Sequence, residues 1–196
     1  IIMKKLLMTM LLVMIAATSF SKTNFLSVVS GDISVLNQSG KTAIDEFDYS
    51  NTNIEGKPAM EYLKSHGADY LKDWPNDNVE TEKYFYDKWN DEIGKGVKLV
   101  RASAADYKIV VHIDYLDLGN TGAALFSLSK TGGGCIIGGS IDIIANKTGN
   151  IVCKLTINSL KGNGAKFFDT GTNEIRRRGL AYEKLAKQII ELAKNK

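Results

Sequence analysis

Between Ala105 and Gly119 the stretch ADYKIVVHIDYLDLG alternates with period two. That period places Tyr107, Ile109, Val111, Ile113 and Tyr115 on one face of a strand and Lys108, Val110, His112, Asp114 and Leu116 on the other. The period returns in two later strands after a Gly-rich loop, joined by NKTGN, where Lys147-Thr148-Gly149 reads as a three-residue turn with Gly at the left-handed position. Pairing Asn146 with Asn150 sets a register. Ile143 then opposes Cys153, Ile141 opposes Leu155 and Gly139 opposes Ile157 on one face; Asp142 opposes Lys154, Ser140 opposes Thr156, Ile144 opposes Val152 and Ile136 opposes Leu160 on the other. Such opposed charges, hydroxyls and aliphatics each add roughly 0.2–1 kcal/mol. Gly138 and Gly139 read as strand glycines marking a bulge or room for a neighbour's bulk, such as an aromatic ring from a helix above. Gly132 to Gly134 belong to the entering loop.

Helical spacing appears elsewhere. Pro58 stands where a first helical residue fits, followed by Met60, Leu63, Tyr70, Leu71 and Trp74, and Pro75 predicts the stop. Asp77 or Asn78 is the expected cap of a second helix carrying Val79, Phe85, Trp89 and Ile93 and ending near Gly94 and Gly96. From about Thr172, Ile175, Tyr182, Leu185, Ala186, Ile189, Leu192 and Ala193 form one stripe. Residues 32–49 predict two extended runs around the turn Asn37-Gln38-Ser39-Gly40, a hairpin. No internal repeat or low-complexity segment occurs. The pattern predicts one α+β domain over 32–196, a two-layer sandwich with a mostly antiparallel sheet and about three helices on one face.

Residues 1–21 stand apart from that domain. Lys4 and Lys5 precede the apolar run Leu6 to Ala17, and Ser19-Phe20-Ser21 supplies small residues where a signal peptidase reads. Met3 is the plausible start, which makes Ile1 and Ile2 a two-residue overrun. The apolar run falls short of the roughly 20 residues a transmembrane helix needs. No cysteine follows it, so neither a transmembrane nor a lipid anchor is expected, and the predicted location is periplasmic or secreted. Residues 22–31 read as a flexible lead-in or an edge strand, apolar from Phe25 to Val29.

Charge and cysteine narrow the function. The chain has 25 Lys and Arg against 22 Asp and Glu; without Lys4 and Lys5 the balance becomes 23 to 22. That is too even for nucleic-acid binding, which rests on clustered positive charge. The hairpin register sets Cys153 opposite Ile143, about 26 Å along the strand from Cys135. A disulfide needs Cα atoms within about 7 Å, so two free, buried thiols are expected.

The glycines match neither G-x-x-x-x-G-K-[ST] nor G-x-G-x-x-G. His112 and Asp114 share a predicted strand face, with Asp142 on a neighbouring strand, and an imidazole between two carboxylates binds metals or moves protons. The competing reading is a solvated polar face, since no nucleophile and no third ligand is specified. The residues specify no catalytic centre, no cofactor and no metal site. Asp45, Glu46 and Asp48 read as an exposed strand or turn. Arg176, Arg177 and Arg178 fan over about 200° of a helix, too wide for one anion clamp, and read as a solvated helix start rather than a phosphate or membrane contact. The sequons at Asn37 and Asn146 are idle behind a bacterial-style signal. Tyr62, Tyr70, Trp74, Trp89 and Tyr182 are spaced as core. The outer sheet face is predicted to carry Val110, Leu116, Ile136, Ile144, Val152 and Leu160, an aliphatic patch larger than water normally meets. A second copy, another protein or the Phe25 to Val29 segment is expected to cover it.

ADYKIVVHIDYLDLG, the Gly-rich loop, TGNIVCKL and GLAYEKLAKQII together resemble a group of uncharacterised exported bacterial proteins. More remotely they are similar to the TolB N-terminal domain and the CsgG-type secretion lipoproteins. The resemblance covers mainly residues 95–194 and implies a two-layer domain of the cell envelope, often an accessory part without a catalytic centre. The lipidated cysteine of the lipoprotein members is missing. The combined expectation is a non-enzymatic interaction module of the envelope, partnered by another envelope protein or by itself. Its rival is an exported small-ligand or metal binder or hydrolase built on His112, Asp114 and Asp142.

Overall fold

A computed structural model describes residues 25–102, 104–119, 134–163 and 174–196. The export segment, most of the lead-in before Leu26, Gly132 and Gly133 lie outside the described residues. Strands β1 (Leu26–Gly31), β2 (Thr42–Asp48), β3 (Asn53–Ile54), β4 (Lys57–Pro58), β5 (Lys98–Leu99), β6 (Tyr107–Asp117), β7 (Ile136–Ala145) and β8 (Asn150–Lys161) form one sheet. Helices α1 (Ala59–Ser65), α2 (Ala68–Glu92) and α3 (Glu174–Lys194) complete the α+β fold. The strand order is β1-β8-β7-β6-β2-β5, with β3 beside the end of β6. The four long strands β1, β8, β7 and β6 are antiparallel, while β2 runs parallel to β6 and β5 parallel to β2. Phe47 of β2 meets Phe85 of α2 and Tyr182 of α3 with ring centroids 5.4 and 4.9 Å apart, which seats both helices on the same sheet face.

The centre of the β7–β8 hairpin has the expected register: residues 139–143 pair with 157–153. Its ends differ. Ile144 pairs with Ile151 rather than Val152, so the turn has four residues, Asn146 to Gly149, and the Ala145 carbonyl accepts from the amides of Thr148 and Gly149 at 3.1 and 2.8 Å. At the other end Ser159 takes a positive φ of 47°, Leu160 moves opposite Ile137, and Ile136 moves opposite Lys161. An extra residue in one strand sends the following side chains to the other face. Leu160 therefore belongs to the core, not to the outer face.

β6 contains the same device. Asp114 is an extra residue between the pairs Ile113–Gly139 and Tyr115–Gly138, so the predicted alternation inverts there. Leu116 is fully buried and Tyr115 is 38% exposed. Gly139 makes this possible: its φ is 151°, and a Cβ there would fall inside van der Waals contact of the His112 carbonyl oxygen. The bulk beside Gly138 is Tyr115 from the neighbouring strand rather than a ring from a helix.

Residues 32–49 do not form a hairpin. Ile33–Asn37 is a 3-10 helix capped by Asp32, whose carboxylate accepts from the Ser34 amide at 2.8 Å. Its Ile33 and Leu36 enter the core. The partners come from elsewhere, since Val97 N–H bonds the Leu36 carbonyl and Lys98 N–H the Lys41 carbonyl at 2.9 and 3.2 Å. Of the two readings of the lead-in, residues from Leu26 onward take the edge strand, paired with β8.

The predicted helix stop at Pro75 is also corrected. The break falls at Gly67, φ 102°, and α2 continues through Pro75 to Glu92. Proline removes one bond to the carbonyl four residues earlier. The buried stripe Trp74, Asn78, Thr81, Phe85 and Trp89 holds the helix despite that loss. Asp77 and Asn78 thus lie inside a helix and cap nothing. Both cysteines are free and buried, with Cys153 opposite Ile143 in the ladder.

Candidate functional site

The sheet face turned away from α2 and α3 is ordered in rows by the strand registers. Ile44, Lys108, Ile144 and Ile151 form the row nearest the β7–β8 turn. Glu46, Val110, Asp142, Lys154 and Ser30 form the next, and Asp48, His112, Ser140, Thr156 and Ser27 the third. Beyond the bulge, Asn53, Tyr115 and Gly138 continue the face. Cross-strand charges compensate one another: Lys108 Nζ lies 3.0 Å from Glu46 and Lys154 Nζ 3.1 Å from Asp142.

His112 sits in the middle of this face. Its Nδ1 is 2.9 Å from Asp48 Oδ2 and its Nε2 is 3.5 Å from Asp142 Oδ2. The structure therefore unites His112 with Asp142 and separates Asp114, which the bulge turns outward, from both. The second carboxylate is Asp48, expected on an exposed strand or turn and found half-buried at the end of β2. Its pairing needed β2 to run parallel to β6, and no local pattern announces that. Asp48 is held at about 2 first by the Ser50 backbone and side-chain hydrogen bonds, then by the His112 ring. Ser140 neighbours His112 in the ladder, yet both ring nitrogens face carboxylates, so the imidazole is engaged as a bridge between β2 and β7. Among the described residues no group of three or more His, Cys, Asp or Glu is placed to hold a metal ion.

The predicted partner surface keeps only part of its membership. Leu116 and Leu160 are 0% exposed in the core, and Val110 is enclosed between Glu46 and Asp142. Ile136, Ile144 and Val152 remain half-buried on or beside the outer face. Ile44 of β2 joins this face through the parallel pairing with β6, and Ile151, 52% exposed, and Tyr115 are further apolar residues outside the predicted set; the last two are placed by bulges, whose positions alternation alone does not reveal.

Of the arginines at the start of α3, expected to be solvated, Arg177 and Arg178 are buried and Arg176 is half-buried. Arg178 is 0% exposed, its guanidinium 4.2 Å over the Trp74 ring and its Nη1 donating to Asn78 Oδ1 at 2.6 Å. Glu174 Oε1 lies 3.4 Å from Arg178 Nε, and Glu174 Oε2 accepts from the Tyr70 hydroxyl at 2.7 Å. Arg177 Nε donates to the Leu118 carbonyl at 2.8 Å, and Arg176 lies 5.2 Å over the Tyr84 ring. The helical fan thus sends three cations to three different partners. Among the described residues no helix is long and apolar enough to cross a membrane.

No family model matches the chain, and no curated protein matches it. Among solved structures it is similar to the PelC dodecamer from Paraburkholderia phytofirmans, at 13% identity and a TM-score of 0.42, covering 83% of this chain and 96% of that one. A point variant of that dodecamer from the same organism gives 13% identity and a TM-score of 0.39, covering 84% and 96%. Likeness at this level carries no argument about what the chain does.

Proposed function

We propose that this chain is a non-enzymatic interaction module of the bacterial cell envelope, exported to the periplasm or secreted. It meets another envelope protein, or a second copy of itself, through the sheet face turned away from α2 and α3. One observation carries the reading: the row Ile44, Lys108, Ile144 and Ile151, with Ile151 52% exposed, lies beside a row of mutually neutralised charges. The adjoining pair Ile144 and Ile151, with Ile44 across the neutralised Lys108, is an apolar centre flanked by paired polar groups, which is the anatomy of a protein contact. The export reading of Lys4, Lys5 and the apolar run after them supplies the location, and the resemblance to TolB-type and CsgG-type domains is of the same kind. The catalytic alternative loses Asp114 from its group and finds His112 occupied on both nitrogens.

The test combines light scattering on the mature chain with photo-crosslinking from position 151 in intact envelopes. A dimer or a discrete adduct, lost in Ile144→Lys, is the expected result. A strictly monomeric chain that gives no adduct sinks the proposal, as does a hydrolytic activity abolished by His112→Ala.

A further inference from the structure

β2 is paired on both sides only at its start. β5 meets Thr42 and Ala43, and Val100 adds one bond to the Ala43 carbonyl at 2.9 Å. Beyond that point no strand among the described residues lies on the β5 side. Backbone groups of a strand alternate between its two neighbours. The carbonyls of Lys41 and Ala43 accept from Lys98 and Val100 on the β5 side, so the N–H and C=O groups of Asp45 and Phe47 point to the same open side.

A cleft of about 820 Å³ adjoins this edge, lined by Val79, Glu80, Glu82 and Tyr86 of α2 and by Arg101. Arg101 ties the cleft to the strand: its guanidinium lies 4.2 Å over the Tyr86 ring and its Nη1 3.4 Å from Asp45 Oδ1. Val79 is 68% exposed. Lys83 is paired with Asp87, and Arg101 with Asp45. The carboxyl groups of the cleft left without an ion pair among the described residues are Glu80 and Glu82; Glu82 hydrogen-bonds Tyr49 and feels Arg101 and Arg178 at longer range. An open edge invites strand addition, and charges at the edge, the enclosed Asp45 and the exposed Arg101 paired with it, restrict what is admitted.

We propose that the open edge of β2 and this cleft together bind an extended polypeptide segment carrying Lys or Arg, as an added strand. The added backbone pairs with Asp45 and Phe47, and every second side chain enters the cleft. A cationic side chain reaches Glu80 and Glu82, and an apolar one covers Val79. Burial pushes the Glu82 carboxyl up to about 7. The groups facing it are Asp45 of β2, Tyr49 just after β2, Arg101 after β5, and Arg178 and Tyr182 of α3. A bound cation favours the ionised carboxylate, so affinity rises with pH across about pH 6 to 8.

The probe is a blocked hexapeptide alternating Val and Lys, titrated into the isotope-labelled chain beside two controls, one with Glu for Lys and one N-methylated at alternate amides. The Lys peptide is expected to shift the Asp45 and Phe47 amide resonances and slow their hydrogen exchange at least tenfold. Both controls are expected to bind at least tenfold more weakly. Val79→Lys, on an exposed position that leaves the fold intact, weakens the Lys peptide similarly. Absence of binding overturns the proposal and leaves Asp45 and Arg101 as guards against aggregation only. Equal binding of the N-methylated peptide, a response away from Asp45 and Phe47, or indifference to Val79→Lys overturns it as well. The site uses neither Ile144 nor Ile151, so its failure is separate from failure of the face turned away from α2 and α3.

Discussion

Replacing Arg178 by Ala removes a fully buried cation from between α2 and α3. The lost bond to Asn78 is charge-assisted, worth about 1.5–3 kcal/mol, and the desolvated stack on Trp74 is worth about 2 kcal/mol. Against these stands the relief of a buried charge whose Nε and Nη2 lack a hydrogen-bond partner. Breaking a buried pair from one side typically costs about 3–5 kcal/mol, a large share of the 5–15 kcal/mol by which domains are stable. Arg178→Met fills most of the space without the charge and is expected to cost about 1–2 kcal/mol. Urea unfolding followed by tryptophan fluorescence reads the difference directly, because Trp74 is the stacked ring. At a slope of about 2 kcal/mol per molar urea, Arg178→Ala moves the midpoint by roughly 2 M. A cycle with Asn78→Ala should show coupling above about 1 kcal/mol. Midpoints of Arg178→Ala and Arg178→Met both within about 0.3 M of the parent would refute the view that this cation ties the helices together.

Gly139→Ala, facing the His112 carbonyl at positive φ, is expected to lower stability by more than about 2 kcal/mol, whereas Gly138→Ala, in ordinary contact with Tyr115, costs less than about 1 kcal/mol; thermal unfolding distinguishes them. Asp48 is depressed to about 2 in the folded chain, so its contribution is present above the unfolded value of about 3.9 and lost as pH falls through about 2. Partial exposure limits that contribution to about 1 kcal/mol, and Asp48→Asn should flatten the acid limb of a stability-versus-pH curve by this amount. Burial pushes Cys153 up to about 11 and Cys135 further still. Native chain at pH 8 is expected to resist alkylation by iodoacetamide at both thiols and to react at both in denaturant, as intact-mass measurement would show.

Most helix-face residues of α2 and α3, the strands β6 to β8 and the central hairpin register follow from period and turn chemistry, since each depends on neighbours near in sequence; Val79, which that spacing sets beside Phe85 and Trp89, is instead 68% exposed. The bulges at Asp114, Val152 and Ser159 do not, because alternation continues in the letters while the backbone inserts a residue; they move Leu116 and Leu160 inward and bring Ile151 and Tyr115 out. Pro75 carried a local stop signal that a long buried stripe outweighed. Asp48 beside His112, the open side of β2, and Arg178 on Trp74 depend on residues 56 or more positions apart. The sequence by itself determined the long strands β6 to β8, the closing helix and most of the apolar positions that seek a core. Only the tertiary structure decided which charges are buried and which backbone edge stays unpaired, because both depend on distant segments competing for the same neighbour, and that competition is settled by packing rather than by local preference.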